Sequence, residues 1–219
     1  MAVIHQTTVE PTKLELLASW LPTRPWYRGG AGGPELAKAG GFRLDDPQGE
    51  VGIEFMVVTD SSGADPTTYL VPLTYRGAPL DGAAHALVGT MEHGVLGRRW
   101  AYDGCHDPVL VAQLTALVEG RAQAQAQNVS DTPDREVVAS YTGDGSVPAD
   151  LAAADDQEGT LLTAPQGTTL RLHRVLRPAP DERASSPRGA IGHVTGSWRT
   201  AGGARARGVF AVLHTDTRA

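Results

Sequence analysis

Six residues between positions 85 and 107, namely His85, His93, Asp103, Cys105, His106 and Asp107, are of the types that bind metals or move protons. Their spacing fits no common ligand pattern. Asp107 stands directly before Pro108, where an aspartate caps a helix start. The expectation is therefore no metal site. Cys105 is the single cysteine, so neither an internal disulfide nor a cysteine zinc cluster can form within one chain. There is no G-x-S-x-G elbow, no phosphate-binding P-loop and no H-E-x-x-H, so no catalytic residue and no cofactor are assigned. GGAGG at 29–33 has the letters of a flexible phosphate loop, but it neither follows a clear strand nor opens a helix, and it reads as a connector.

A second set is aromatic. Trp20, Trp26, Tyr27, Trp100 and Tyr102 have flat rings with a polar edge, which suit stacking on sugars or on a partner surface and equally suit packing a helix on a sheet. Packing is the better reading for Trp20 and Trp100. For Trp26 and Tyr27, set among prolines and glycines, both readings stay open. Arg28 beside them can hold an anion or a nearby carboxylate. The candidate ligand- or partner-binding residues are Trp26, Tyr27, Arg28, Trp100 and Tyr102.

These residues need elements to position them. Met1–Thr8 reads as a first strand ended by Pro11. Thr12 with Glu15 forms a capping box, and Leu14, Leu17, Ala18 and Leu21 recur at helical spacing until Pro22. A strand is expected around Phe42–Leu44. Val51, Ile53, Phe55 and Val57 alternate, as do Tyr69, Val71, Leu73 and Tyr75 beyond the SSGADP turn, which reads as an antiparallel hairpin with Pro72 at an edge or bulge. A weak helix is expected over Ala83–Met91, then a strand in LGRRWAYD with Trp100 and Tyr102 on one face. A helix from Pro108 carries Leu110, Leu114, Leu117 and Val118, with RAQAQAQ as a solvated continuation and a linker at 128–134. Beyond it, EVVASY, GTLLTA, TTLRLHRVL, AIGHVTGSW and RGVFAVLHT read as strands, and Pro178–Gly189 reads as a loop. The expected domains are 1–130 and 131–219.

The 219 residues include 41% hydrophobic ones, enough for a real core, and a net charge of −6 without a basic run argues against a nucleic-acid partner. No signal peptide and no run of about 18 apolar residues is found, so a cytoplasmic protein without a membrane partner is expected. The bias to arginine, alanine and glycine fits a GC-rich coding background.

Taken in order, WLPTRPWYRGG, TYLVPLTYR and WAYDGCHDP resemble the N-terminal cap domain of bacterial maltokinases, over roughly 14–118. Tyr27 stands where that family usually has Phe, and the lysine often found in its glycine loop is missing. The resemblance implies an α+β fold, a curved antiparallel sheet with packed helices, followed by a mostly antiparallel β region resembling a truncated kinase N-lobe. TTLRLHRVLRP is similar to the strand carrying the phosphate-gripping lysine, which makes Arg171 the candidate nucleotide contact. The chain ends at Ala219, leaving no room for a catalytic lobe with its HGD-type loop and metal-holding Asp. The resemblance thus implies a non-catalytic binding or regulatory protein in maltose, trehalose or glycogen metabolism, with a sugar kinase or glucan enzyme as partner, a carbohydrate ligand, or both. The alternatives are a non-autonomous sugar-kinase subunit, an ATP- or sugar-binding pseudo-kinase fragment, or a homodimer joined through the edge near Pro72.

Overall fold

The computed structural model describes residues 8–129, 131–179 and 187–215. All of the strand expected over Met1–Thr8 except Thr8, and the centre of the Pro178–Gly189 loop, fall outside them. A two-residue strand β1 (Val9–Glu10) precedes helix α1 (Lys13–Trp20). The capping box forms: the Thr12 hydroxyl accepts from the Glu15 amide, and the Glu15 carboxylate accepts from the Thr12 amide at 2.7 Å. Pro22 turns the chain into a single 3-10 turn, Leu21–Thr23, where α1 stops.

Strands β2 (Leu36–Leu44), β3 (Gly52–Asp60), β4 (Thr67–Arg76), β5 (Leu87–His93) and β6 (Gly97–Asp103) follow, then helix α2 (Pro108–Val118) and the short β7 (Gln125–Ala126). With β1 they form a curled antiparallel sheet in the order β1-β5-β6-β4-β3-β2-β7. The β3–β4 hairpin runs in register from Gly52 opposite Tyr75 to Asp60 opposite Thr67. Val51, Ile53, Phe55 and Val57 share the main core as the alternation requires, but Met56 and Val58 on the reverse face are also buried, against Leu17, Trp20, Leu21 and Trp26. The sheet is thus covered on both faces, by α1 and the following turn on one and by α2 on the other.

The remaining strands are β8 (Val138–Tyr141), β9 (Ala152–Asp156), β10 (Gly159–Thr163), β11 (Thr168–His173), β12 (Val175–Leu176), β13 (Gly192–Arg199) and β14 (Arg205–Thr215). All but β12 form a second antiparallel sheet, β8-β13-β14-β11-β10-β9; β12 crosses over and pairs with β4. The main core unites both sheets: Phe42 stacks on Phe55 at 4.5 Å and on Phe210 at 6.2 Å. α2 is buried on most of its surface because it lies in this shared core.

Several expectations change. The α+β fold is mostly β, with two α-helices among the described residues. Ala83–Met91 is not helical: a 3-10 turn at Ala84–Ala86 gives way to β5, whose pairing with β6 overrides a weak helical pattern. RAQAQAQ does not prolong α2. Gly120 adopts φ +74° just past the helix, and the Arg121 and Ala122 amides return to the Ala116 carbonyl, closing the helix end. The segment then forms β7. Pro72 lies on no open edge. Leu70, on the same side of β4, donates to the Arg174 carbonyl beside β12, and β6 begins pairing at Leu73, so the proline nitrogen faces the gap between β12 and β6. A dimer through that edge would have to displace strands already there.

Candidate ligand- or partner-binding site

The WYRGG segment is fixed by local turns and by the β3–β4 connection. The Arg24 amide returns to the Leu21 carbonyl, and the Tyr27 amide to the Arg24 carbonyl. Trp26 is driven inward, fully buried, edge-on to Trp20 at 5.8 Å and tilted against Tyr69 at 5.9 Å. It offers no surface for stacking a ligand. Its burial follows from the turn at 21–27, which lays the indole across the α1 face of the sheet.

Tyr27, half-buried, stacks on Tyr69 at 5.7 Å and donates its hydroxyl to Asp60 at 2.8 Å. Burial and this hydrogen bond push the phenol up to about 12. Burial alone would raise Asp60, but the amides of Ser62 and Glu35 and the Tyr27 hydroxyl outweigh it and hold the carboxyl below its usual range. The Tyr69 hydroxyl accepts from the Arg28 amide, and the Ser62 hydroxyl from the Gly30 amide. A Cβ on Gly30 would lie 2.1 Å from the Ser62 carbonyl oxygen, so close backbone approach explains the glycine here.

This leaves Arg28 exposed, with Nη2 3.5 Å from the Gln157 carbonyl in the turn between β9 and β10. Arg171 reaches the same turn from β11, with Nη1 2.6 Å from the Asp156 carboxylate. Arg28 and Arg171 therefore meet at the β9–β10 turn of the second sheet, while Tyr27, next to Arg28 in the chain, packs on the first sheet. Trp100 and Tyr102 lie elsewhere. Tyr102 is buried with Ala83 and Ala86, its hydroxyl accepting from the Leu80 amide, and Trp100 is half-buried beneath the Arg98 guanidinium at 5.3 Å. Tyr102 thus belongs to a core.

Beneath this surface lies a buried node that the sequence pattern did not expose. Arg174 is fully buried, its Nη2 2.7 and 2.6 Å from the two Asp103 oxygens and its Nε 2.7 Å from the Thr160 hydroxyl. The guanidinium also lies over the Trp26 ring at 5.0 Å. Burial opposes its charge, but Asp103 together with the surrounding groups raises its proton affinity above the ordinary arginine value. The only hint in the sequence was a second arginine interrupting the apolar run of TTLRLHRVL. Asp103 joins the first sheet to Arg174 and the second sheet and so has a structural partner, while Asp107 pairs with Arg76 through two contacts of 2.6 Å and caps α2 at the Val109 amide. Cys105 is buried, and burial pushes its thiol up. His93 accepts from the Val95 and Leu96 amides in the β5–β6 turn. His85 Nε2 and His106 Nδ1 lie 3.2 Å apart. Among the described residues, no three His, Cys, Asp or Glu side chains are grouped to hold a metal ion, and no helix is long and apolar enough to cross a membrane.

No match to the chain is found among curated proteins. Residues 20–107 match the family of the maltokinase N-terminal cap domain, a stretch that spans WLPTRPWYRGG, the β3–β4 hairpin, and β6 with the turn after it as far as Asp107.

Proposed function

We propose that this chain is a non-catalytic binding or regulatory protein of maltose, trehalose or glycogen metabolism. The observation that carries the reading is the maltokinase cap match over 20–107, which relates the first sheet to a sugar-phosphorylating enzyme. The binding surface is the end of the molecule where Arg28, next to Tyr27 in the chain, meets the β9–β10 turn, with Arg171 and Asp156 beside it. Arg28 is the exposed cation there, and the Tyr69 hydroxyl and Ser62 hold its backbone still. A rigid segment loses little entropy on binding. Trp26 acts from below, as the packed base of that segment.

Calorimetry with maltose, maltose 1-phosphate, trehalose and glycogen, together with capture of a sugar kinase or glucan enzyme from native cytosol, tests the reading. Binding that Arg28→Ala weakens supports it, and the absence of both a ligand and a partner overturns it. Titration with ATP and Mg²⁺ on the same protein separates the nucleotide-binding alternative. There Arg171 would have to leave Asp156 to grip a phosphate, so Arg171→Ala would abolish the response.

A further inference from the structure

The strongest cluster left over is the histidine pair. His85 sits in the 3-10 turn before β5, and His106 ends the 3-10 turn Gly104–His106 between β6 and α2. Separated by 21 positions, the two nitrogens come to 3.2 Å, with ring planes at 90° and centroids 4.8 Å apart. His106 is half-buried and His85 exposed, so the pair has one fixed member and one side open to water.

The ring positions can be set against two arrangements. In a straight N–H···N hydrogen bond with both rings aligned along it, the centroids would lie about 5.5 Å apart. Two imidazoles converging on one tetrahedral ion at about 2.0–2.1 Å place their nitrogens about 3.3 Å and their centroids about 5.2 Å apart. The observed 4.8 Å is shorter than either value, so the rings are tilted off the aligned arrangement, while the 3.2 Å between the nitrogens matches the spacing that one shared ion requires.

We propose that His85 and His106 form a two-histidine site for a borderline divalent cation such as Zn²⁺ or Cu²⁺, with water completing the coordination. Neutral imidazole is the ligand such ions accept readily. Each ring would hold the ion through the nitrogen facing the other, His85 Nε2 and His106 Nδ1. With two protein ligands the site is exchangeable and open, unlike the closed four-ligand sites that hold structural zinc.

The test uses the full chain and no sugar or nucleotide, so its result is independent of the proposed function. Co²⁺ titration followed by visible absorption, and Zn²⁺ titration by calorimetry, should show one ion per chain. His85→Ala and His106→Gln should each weaken binding at least about tenfold. His93→Ala, with its ring in a separate turn, should leave binding unchanged. Circular dichroism checks that each variant folds; because His85 is exposed, its variant keeps the test valid if His106→Gln does not fold. No binding, or binding that His85→Ala leaves intact, overturns the site and reduces the pair to a contact between neutral rings.

Discussion

Arg174→Met should be among the most damaging single substitutions available in this chain. Arg174 and Asp103 are both fully buried and bonded to each other, and the pair joins β6 of the first sheet to the segment linking β11 and β12. Methionine keeps much of the apolar contact with Trp26 but leaves the Asp103 carboxylate buried without its cation. Removing one partner of such a pair costs about 3–5 kcal/mol, which in a chain of this size lowers Tm by about 6–20 °C. Asp103→Asn keeps an acceptor for the Cys105 amide, now 3.2 Å from Oδ1, yet strands the guanidinium and should cost a similar amount. In the double variant no buried charge remains, so its loss should fall short of the sum of the singles by about 3 kcal/mol or more. Urea unfolding at neutral pH, with all four proteins compared at constant m-value, measures this. Single losses below about 1 kcal/mol, the range of an exposed ion pair, or strict additivity, would refute the view that this pair holds the two sheets together.

Glu54 is buried on the α1 side of β3 and bonded to Lys13, Tyr75 and Gln127; burial pushes its carboxyl up, but these partners outweigh burial and hold it below the usual range. A depressed folded value means that its contribution is complete above the unfolded value near 4.5 and is lost as pH falls through the folded one. Glu54→Gln should therefore be less stable at pH 7, and its urea midpoint should vary less with pH below about 5. Burial lowers His106, His173 and His193, so their neutral forms favour the fold above the unfolded value of 6.5, and that support drains away as pH falls; NMR titration of the ring protons should show all three ionising below ordinary histidines. In a phenol absorbance titration Tyr27, identified by difference against Tyr27→Phe, should ionise at about 12 and move down in Asp60→Asn, which removes a charge that opposes phenolate formation. Gly30→Ala must push the segment off the Ser62 carbonyl and should cost about 1–3 kcal/mol in thermal unfolding, with weakened binding at Arg28 if that surface is the functional one.

Features that depend on neighbours a few residues away are legible in the amino-acid sequence. Thr12 and Glu15 cap α1, and Asp107 with Pro108 opens α2, because capping partners lie within one turn. The alternation in β3 and β4 marks the hairpin, and the ordered motifs of the first half carry the resemblance to the maltokinase N-terminal cap domain, whose family matches residues 20–107. β9 carries no strand signal in the sequence because LAAADD lacks the branched and aromatic residues that usually mark a strand, and it pairs only at the sheet edge. The local pattern of Ala83–Met91 allows a helix, and that of RAQAQAQ a solvated continuation of α2, whereas strand partners and Gly120 decide otherwise.

Partner choice belonged to the tertiary structure. Trp26 and Tyr27 are adjacent in sequence, yet one is buried under Arg174 and the other keeps a polar edge at the surface, because only the turn at 21–27 and the arrival of β12 set their directions. The same holds for Asp103 and His106, three residues apart: one neutralises an arginine 71 positions away, and the other meets His85. Residue types in a short segment show which chemistry is available, but the distances that select among their uses arise from contacts far apart along the chain.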